Sequence, residues 1–331
     1  MATIYYQSDV DQEILKDKTV AVIGFGNQGH AHGMNLKDSG CNVIVGLRDG
    51  SPRREAAKAY GIEVFPIAEA VKRADIIMIL IPDELQGQVF NSEIAPHLSQ
   101  GKLLLFAHGF TVLYQLVQPP PFVDVAMVAP KGQGHMLRRE FAAGRGIPGV
   151  LAVEQDVSGQ AKPLALAYAH GIGLTRVGVI ESSFREETEA DLFSEQAVIC
   201  GGVSQLMKAG FETLVDAGYQ PEMAYFECVN EMKLIVDLVY EKGLAFMREA
   251  ISNTAEYGDY RSQGQVIGSE SREHMDRILQ RIRSGEFARD FMRENHDGQP
   301  LMKEMRRKES EHPLEKTFQQ LSKKMPWIPE S

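Results

Sequence analysis

Short runs of apolar, mostly β-branched residues alternate with amphipathic stretches throughout the first half of the chain. Each run has the length of a buried strand, and helical periodicity appears between the runs. The predicted strands cover residues 19–23, 42–45, 76–81, 103–107, 123–129, 150–153 and 176–180. Strands that alternate with helices form parallel sheets, because a crossover must return the chain to the same edge. The pattern therefore predicts a doubly wound, parallel α/β sheet.

The hydrophobic pattern changes near residue 182. Strand signals end there, and helical periodicity covers residues 186–209, 211–217, 221–241, 244–250 and 270–284. We therefore predict two domains, an α/β domain at residues 1–182 and an all-helical domain at residues 183–331. The helix near residues 234–238 is apolar on more than one face, which is more than a helix on the surface of a monomer needs.

Composition and charge narrow the class of protein. Hydrophobic residues make up 44% of the 331 positions and charged residues 24%, as in ordinary globular proteins. The net charge of −10 argues against a nucleic-acid partner or an anionic membrane surface. The longest apolar run, residues 76–82, is too short to span a bilayer. Residues 1–18 are polar, so no secretory signal is expected, and three scattered cysteines suit the reducing cytoplasm.

Two pairs of carboxylates distinguish the helical half. Asp191 and Glu195, and likewise Glu227 and Glu231, are four residues apart, which puts both members of a pair on one helix face. Like charges at this spacing destabilise a helix unless a cation or solvent compensates them. A hard divalent cation with oxygen ligands meets that need, and magnesium suits it best. Two solvated acidic faces are the alternative that the pattern leaves open.

A glycine-rich turn follows the first predicted strand. The sequence GFGNQG at residues 24–29 matches G-x-G-x-x-G and stands between a strand and a helix, which is the context that dinucleotide binding requires. Its glycines permit a tight turn and let a pyrophosphate approach the helix N-terminus. We therefore expect a nucleotide site in a Rossmann-type domain.

The residues after the second strand indicate which nicotinamide cofactor is used. NAD enzymes usually place an acid here, which accepts from the ribose 2′-hydroxyl. This chain has Arg48, Ser51 and Arg53 instead, and guanidinium groups suit the 2′-phosphate of NADP. Asp49 is the exception and is able to pair with Arg53. A polar surface loop is the alternative, above all for Arg54.

Three further strands end in residues that can do chemistry. Asp83 follows the third predicted strand, His108 the fourth and Lys131 the fifth. Ligands of open parallel sheets bind outside the carboxyl ends of the strands, so these side chains are expected to face one cleft. Each alone would more often be a turn or capping residue, but together they favour an active site.

Taken together, the motifs resemble those of the ketol-acid reductoisomerases (acetohydroxy-acid isomeroreductases) of the short, bacterial class I type. The resemblance covers essentially the whole chain. It is carried by GFGNQGHAH at 24–32, PDELQ at 82–86, FAHGF at 106–110, APKGQGH at 129–135, DLFSEQ at 191–196, CGG at 200–202, ECVNEMKLIVD at 227–237 and SNTAEYG at 252–258. Phe25, Ser194, Asn230 and Arg53 depart from the family pattern, and Arg53 leaves the detail of the phosphate pocket open.

The resemblance implies a role for each of these positions. His108 and Lys131 would be catalytic, and Ser252 would contact the substrate. Two magnesium ions would be held by Asp191, Glu195, Glu227 and Glu231. NADPH would be held by Gly24, Phe25, Gly26, Asn27, Gln28, Gly29, Arg48, Ser51, Arg53, Asp83, Glu84, Leu85, Gln86 and Gly134.

The reaction implied by the resemblance is a magnesium-dependent alkyl migration in 2-acetolactate or 2-aceto-2-hydroxybutyrate. Reduction by NADPH to the 2,3-dihydroxy acid of valine and isoleucine biosynthesis would follow. The resemblance also implies a homodimer with active sites shared between subunits, and leaves larger assemblies open. A metal-free NADP-dependent hydroxy-acid dehydrogenase, insensitive to EDTA, is one alternative. A non-catalytic NADP-binding protein, without magnesium-dependent turnover, is the other.

Overall fold

The computed structural model describes residues 2–325. The chain forms two compact units, Met1–Ala190 (unit 1) and Asp191–Ser331 (unit 2), and the division falls inside a helix. The boundary predicted from the sequence, after residue 182, lies eight residues before the end of unit 1 at residue 190. No helix among the described residues is long and apolar enough to cross a membrane.

Unit 1 is built on a sheet of nine strands within the described residues. The strands are β1 (Ile4–Tyr5), β2 (Thr19–Ile23), β3 (Asn42–Gly46), β4 (Glu63–Phe65), β5 (Ile76–Ile79), β6 (Leu103–Phe106), β7 (Asp124–Pro130), β8 (Gly149–Gln155) and β9 (Val179–Glu181). Their order across the sheet is β1-β9-β8-β7-β6-β5-β2-β3-β4. All pairs from β4 to β7 are parallel, and the order reverses between β2 and β5. This confirms the predicted doubly wound sheet.

Strand β2 shows how both faces of the sheet are buried. Side chains of successive strand residues point to opposite faces. Val20 and Val22 accordingly join one buried apolar cluster, whereas Ala21 and Ile23 join a second one. Helices cover both clusters, so the strands stand in the sequence as continuous apolar runs rather than as alternating patterns.

Eight helices connect the strands of unit 1 or follow them within the described residues. They are α1 (Asn27–Asp38), α2 (Arg53–Ala59), α3 (Ile67–Arg73), α4 (Asp83–Val89), α5 (Phe110–Leu113), α6 (Gly134–Ala142), α7 (Ala161–Gly171) and α8 (Phe184–Ser194), whose last turn belongs to unit 2. Between α1 and α7, the ring of His32 is fully buried, and its Nδ1 lies 2.8 Å from the hydroxyl oxygen of Tyr168. Burial lowers the pKa of His32 from 6.5 to about 3 and raises that of Tyr168 well above 10.

Two features of the sheet differ from the prediction. Strands β1 and β4 were not predicted, because two or three residues are too few to show a periodic pattern. Strand β8 pairs with β7 in antiparallel orientation, although α6 lies between them in the chain and a strand–helix–strand unit predicts a parallel pair. The sheet is therefore parallel through its larger part and mixed at one edge.

Unit 2 is helical, as predicted. Its helices are α9 (Gly201–Asp216), α10 (Pro221–Tyr225), α11 (Glu231–Ala250), α12 (Asn253–Ser262), α13 (Ser269–Arg283), α14 (Glu286–His296), α15 (Pro300–Glu311) and α16 (Pro313–Ser322). One π turn, Glu195–Ile199, follows α8, and a second, Phe226–Asn230, joins α10 to α11. Gly243, with φ 85°, interrupts α11 where the sequence predicted a break between residues 241 and 244.

Few side chains are buried together in the part of unit 2 that the structure describes. Phe211 of α9 packs with Ala224 and Tyr225 of α10, and Phe318 of α16 covers them. Helix α11 contributes no buried residue, although it is 20 residues long and rich in apolar side chains. Unit 2 therefore leaves much of its apolar surface exposed.

Candidate active site

The glycine turn after β2 is shaped by close backbone contacts. Gly24 has φ 102°, and a Cβ placed on it would lie 2.5 Å from the carbonyl oxygen of Leu80. A Cβ on Gly29 would lie 2.3 Å from the carbonyl oxygen of Gly24. No L-residue with a side chain fits these positions, so the turn requires both glycines. Gly26 caps α1, which begins at Asn27 and presents free backbone N–H groups in its first turn.

A second helix N-terminus lies beside that of α1. Helix α6 begins at Gly134, and a Cβ placed there would be 2.2 Å from the carbonyl oxygen of Asn27. The side chain of Gln28 bridges the two segments, since its Nε2 donates to the carbonyl oxygen of Gly132 at 3.0 Å. The partial positive charges of two helix N-termini thus come together, which favours an anion such as a pyrophosphate. This cradle fits a dinucleotide, and it contains the predicted cofactor residues of the glycine turn together with Gly134.

Two arginines that follow β3, Arg53 and Arg54, donate to different backbone carbonyl groups. Arg53 Nη1 donates to the carbonyl oxygen of Phe25 at 2.8 Å, so this guanidinium braces the glycine turn. Arg54 donates to the carbonyl oxygen of Leu47 at 3.0 Å and lies 3.7 Å from a carboxylate oxygen of Asp49. Asp49 therefore approaches Arg54, whereas the sequence suggested Arg53.

Arg48 is exposed and Ser51 is half-buried in the same loop. Both lie after the end of β3, where the ribose of a dinucleotide binds in this fold. They fit the predicted place of a cofactor 2′-phosphate better than Arg53 does, because the guanidinium of Arg53 already bonds the backbone at Phe25.

The loop after β5 orients Asp83 toward His108. Gln86 is buried and its Nε2 donates to Asp83 Oδ1 at 3.0 Å, while its Oε1 accepts from the hydroxyl of Thr111 at 2.8 Å. The other oxygen of Asp83, Oδ2, lies 3.5 Å from Nδ1 of His108. The buried side chain of Gln86 thus binds Asp83 and Thr111 by hydrogen bonds. Asp83 and His108 form one group at the carboxyl edge of the sheet.

Two more predicted cofactor residues, Glu84 and Leu85, lie in the first turn of α4. Glu84 is half-buried and Leu85 is exposed. Both are therefore within reach of solvent, and their predicted contacts with a cofactor stay predictions.

Lys131 forms an ion pair that the sequence did not reveal. Its Nζ lies 2.7 Å from Oε1 of Glu187, whose side chain is 1% exposed, while that of Lys131 is 34% exposed. The backbone N–H of Gly109 donates to the other oxygen of Glu187 at 3.4 Å. Ligand atoms of His108 and Glu187 lie within 4.8 Å of each other. Unit 1 therefore brings His108, Lys131, Asp83 and Glu187 to one edge of the sheet.

Glu187 was missed although its spacing carried a signal. It lies four residues before Asp191, which itself lies four residues before Glu195, so helical spacing extends the predicted acid pair by one member. Gly109 allows the approach of α8, because a Cβ there would be 2.2 Å from the hydroxyl oxygen of Thr188 and 3.0 Å from the carbonyl oxygen of Phe184.

The four predicted metal ligands all lie at or next to π turns of unit 2. Asp191 is in the last turn of α8 and Glu195 begins the first π turn. Glu227 lies inside the second π turn and Glu231 begins α11. Asp191 is half-buried and the other three are exposed. Carboxylates with accessible oxygens are the donor set that magnesium prefers, so these residues fit the predicted metal.

The pair Glu227 and Glu231 borders an apolar groove of about 390 Å³. The groove is also lined by Leu206, Gly210, Cys228, Met232 and Ile235. Ser252, the predicted substrate contact, is the N-cap of α12, and its Oγ accepts from the backbone N–H of Ala255 at 3.2 Å. A serine hydroxyl in this role keeps its own proton available for a further hydrogen bond.

Two family descriptions match the chain. "Acetohydroxy acid isomeroreductase, NADPH-binding domain" matches residues 14–178, and "Ketol-acid reductoisomerase, C-terminal domain" matches residues 184–327. Together they cover both units, and the second begins close to the domain boundary predicted from the sequence.

Among solved structures, the chain is similar to an NADH-preferring ketol-acid reductoisomerase from an uncultured archaean. The two are 46% identical, with a TM-score of 0.95 over 98% of this chain and 99% of the other. A semialdehyde dehydrogenase NAD-binding protein from Cupriavidus necator is 17% identical, with a TM-score of 0.64 over 81% of this chain and 99% of the other. A putative oxidoreductase from Jannaschia sp. is 14% identical, with a TM-score of 0.61 over 80% and 96%. The last two share only the fold.

Proposed function

Since the chain belongs to the ketol-acid reductoisomerase family, we propose that the residues described above perform the two-step reaction of that family. In the first step, 2-acetolactate or 2-aceto-2-hydroxybutyrate loses its C2 hydroxyl proton and an alkyl group migrates from C2 to C3. In the second step, a hydride reduces the new ketone to a 2,3-dihydroxy acid of valine and isoleucine biosynthesis. The chain is thus an NAD(P)-dependent oxidoreductase with isomerase activity.

Helix α8 is the observation that carries the proposal. It carries Glu187, which is paired with Lys131, and Asp191 four residues later, and the π turn that follows begins at Glu195, after another four residues. Helix α8 therefore carries both the buried partner of Lys131 and Asp191, a predicted magnesium ligand. A dehydrogenase without a metal has no need of such a series of carboxylates. A reaction that must polarise and deprotonate a hydroxy ketone is assisted by bound cations, and the carboxylates would hold those cations.

The strand-end residues bind and orient the substrate in this proposal. The ammonium of Lys131, held by Glu187, donates to a substrate oxygen. His108, oriented by Asp83, lies beside the same oxygen and holds a proton at its ring. Ser252 binds the substrate carboxylate through its hydroxyl proton. Bound at their sites, two magnesium ions would supply Lewis-acid polarisation of the substrate oxygens and NADPH would supply the hydride.

The carboxylates of Asp191, Glu195, Glu227 and Glu231 hold the two cations in this proposal, because hard divalent ions select oxygen ligands. The cradle for the pyrophosphate lies where two helix N-termini meet. In this proposal it is formed by Gly24, Phe25, Gly26, Asn27, Gln28, Gly29 and Gly134.

We propose NADPH in preference to NADH as the reductant. Arg48 and Ser51 support this choice, because they offer a charged and a hydroxyl donor beyond β3, where an NAD enzyme would place an acid. The similar archaean enzyme prefers NADH, and the ratio of kcat/KM for NADPH to that for NADH tests the proposal for this chain.

We also propose a homodimer whose active sites are shared between subunits. The support comes from α11, where Leu234, Val236, Tyr240 and Leu244 are each more than half exposed and no residue is buried. Exposed apolar patches mark interaction surfaces.

The free thiols of Cys41, Cys200 and Cys228 support a reducing compartment, the cytoplasm.

The shared site has a direct test in mixed dimers. Asp191→Asn and Glu227→Gln chains are each expected to be inactive alone. After subunit exchange, a mixed dimer has one site with both defects and one intact site, so partial activity should return. A fully active monomer in sedimentation experiments would contradict the dimer. Absence of complementation after proven exchange would assign all four carboxylates to one chain.

The reaction itself is tested by NADPH oxidation with 2-acetolactate, with and without Mg²⁺. We expect turnover that requires both the substrate and the metal and is lost in EDTA. Turnover that persists in EDTA would identify a metal-free hydroxy-acid dehydrogenase instead. NADPH binding without any turnover would indicate a protein that only binds the cofactor.

A further inference from the structure

Both acid pairs of unit 2 lie against π turns. Glu195 is the first residue of the turn Glu195–Ile199, and Glu227 lies within the turn Phe226–Asn230. A π turn contains one residue more than a turn of α-helix and is found frequently at functional sites. Each residue of an α-helix advances by about 100°, so the extra residue rotates the following helix by about that angle. The first π turn therefore sets how α9 leaves the segment that carries Asp191 and Glu195.

The backbone of Glu195 takes part in the π turn directly. Its carbonyl oxygen accepts from the N–H of Cys200, five residues later, at 3.2 Å. In an α-helical turn the same oxygen would accept from the N–H of Ile199, four residues later. A change from the π form to the α form would therefore alter the backbone at Glu195 itself, and with it the direction of the carboxylate.

Two consecutive glycines, Gly201 and Gly202, begin α9 directly after this turn and Cys200. A Cβ placed on Gly201 would lie 2.1 Å from the carbonyl oxygen of Gln196, and one on Gly202 would lie 2.3 Å from that of Ala197. Both carbonyl groups belong to the π turn and precede the glycines by five residues. Because the opposing atoms are backbone atoms, no side chain can move aside to make room. Any larger residue at either position must therefore change the turn.

The second π turn is supported in another way. Residues 226–230 contain no glycine, and Gly210 of α9 packs against them, since a Cβ there would lie 3.0 Å from Sγ of Cys228. Here the opposing atom belongs to a side chain, so a substitution can be accommodated by a small shift. The backbone requirement is thus specific to the turn that begins at Glu195.

We propose that Gly201 and Gly202 are positioning residues of the metal site. They hold the turn Glu195–Ile199 in its π form and thereby hold the carboxylate of Glu195 beside that of Asp191. This inference rests on the proposed role of the two acids as metal ligands. It explains why a CGG sequence follows the acid pair at this spacing, where a helix would otherwise disfavour two glycines.

The test measures metal affinity rather than turnover. Full-length Gly201→Ala and Gly202→Ala are titrated with Mn²⁺, and bound metal is followed by electron paramagnetic resonance. We expect each variant to bind Mn²⁺ about 10- to 100-fold more weakly, the loss typical when groups that orient metal ligands are removed. The Kd for NADPH should not change, because its cradle lies in unit 1. Gly258→Ala is the matched control, since a Cβ there meets no atom within 4 Å.

A second variant separates positioning from folding. Deletion of Val198, an exposed residue of the π turn, removes the extra residue and lets the turn become α-helical. Combined with Gly201→Ala, the deletion should restore the Tm that the single variant loses, but not the affinity for Mn²⁺. If the combination does not recover the Tm, the steric explanation is wrong.

Asp191→Asn serves as the reference for the proposed metal site. If Asp191→Asn loses Mn²⁺ affinity and the folded glycine variants keep that of the unchanged protein, the positioning role is refuted and the metal site stands. If Asp191→Asn itself binds Mn²⁺ normally, the metal site and the positioning role both fail.

Discussion

Units 1 and 2 both contain apolar secondary structure but bury it differently. Every residue of β5 and β6 in unit 1 is buried by the unit's own helices. No residue of α11 in unit 2 is buried, and Tyr240 is 85% exposed. The comparison teaches that apolar periodicity shows which face must be covered, but not whether the same chain covers it. Unit 1 completes its own core, whereas α11 of unit 2 leaves its apolar side chains exposed.

The largest expected effect concerns the acids of unit 2. Asp191→Asn or Glu195→Gln should lower kcat by about 10³-fold, because a Lewis acid contributes several kcal/mol and each 1.4 kcal/mol is about tenfold in rate. Neither residue is buried, so the Tm in EDTA should stay the same or rise as charge repulsion is relieved. Kinetics at several Mg²⁺ concentrations and thermal melts measure both. Normal turnover at low Mg²⁺ would remove that residue from the metal site.

Glu187→Gln is the matched variant in unit 1. Its carboxylate is buried and accepts from Lys131, so this variant should lose activity and also about 1–3 kcal/mol of unfolding free energy. A loss of activity without a loss of stability would show that the ion pair is dispensable for the fold.

The next effect compares one leucine from each unit. Leu104→Ala in β6 should cost about 2–5 kcal/mol of unfolding free energy at any protein concentration, because the side chain is fully buried. Leu234→Ala in α11 should cost less than about 0.5 kcal/mol in a monomer but should weaken a dimer. Urea unfolding at two protein concentrations, with sedimentation, separates these outcomes. An unfolding midpoint of the unchanged protein that shows no dependence on protein concentration would contradict the dimer.

The cofactor loop yields a smaller effect that distinguishes two arginines within unit 1. Arg48→Gln should raise the KM for NADPH by about 10- to 100-fold and leave that for NADH nearly unchanged, because a charged hydrogen bond to phosphate contributes about 1.5–3 kcal/mol. Arg53→Gln should raise both KM values, since Arg53 braces the glycine turn that both cofactors use. Equal kcat/KM for the two cofactors in the unchanged protein would refute the preference for NADPH.

The last effect is an acid sensitivity that belongs to the buried interior of unit 1. His32 stays neutral in the fold down to about pH 3, because burial lowers its pKa to that value from the ordinary 6.5. Between about pH 3 and pH 6.5, His32 binds a proton in the unfolded chain but not in the folded protein. The unfolding free energy therefore falls by about 1.4 kcal/mol for each pH unit by which the pH drops.

His32→Gln should reduce the dependence of unfolding free energy on pH by about one proton in that window. Urea unfolding at about pH 4 to 7 measures the slope. His296→Gln, in unit 2, is the control, because its side chain is 87% exposed. An unchanged slope in His32→Gln would mean that another group accounts for the acid sensitivity.

Most of the fold could be predicted because unit 1 follows simple rules. Runs such as residues 76–79 are buried on both faces, and glycines mark the turn at residues 24–29. The antiparallel β8 could not be predicted, because strand direction depends on how the chain returns after α6 and not on which residues are apolar. The π turns were also missed, since one additional residue hardly changes the helical pattern of residues 186–209.

The sequence predicted which side chains come together where strand topology decides, and it missed a contact where burial decides. Asp83, His108 and Lys131 follow strands, so topology brings them together. Glu187 is one of several acids at the start of a helix, and only the 2.7 Å contact in the folded protein shows that it is the partner of Lys131. The Arg53 bond to Phe25 depends on the path of the loop, which its sequence does not specify.

The cradle for the pyrophosphate is built almost entirely from main chain, and this has a consequence for the evolution of cofactor use. Gly24 rests on Leu80 and Gly134 rests on Asn27 through backbone atoms, so these two contacts do not depend on the neighbouring side chains. On the proposed cofactor role of this loop, we expect replacements of Arg48 and Ser51 to switch the reductant while these backbone contacts stay in place. Arg53 is the point of coupling, and a lineage that exchanges its reductant must either keep Arg53 or replace its bond to Phe25.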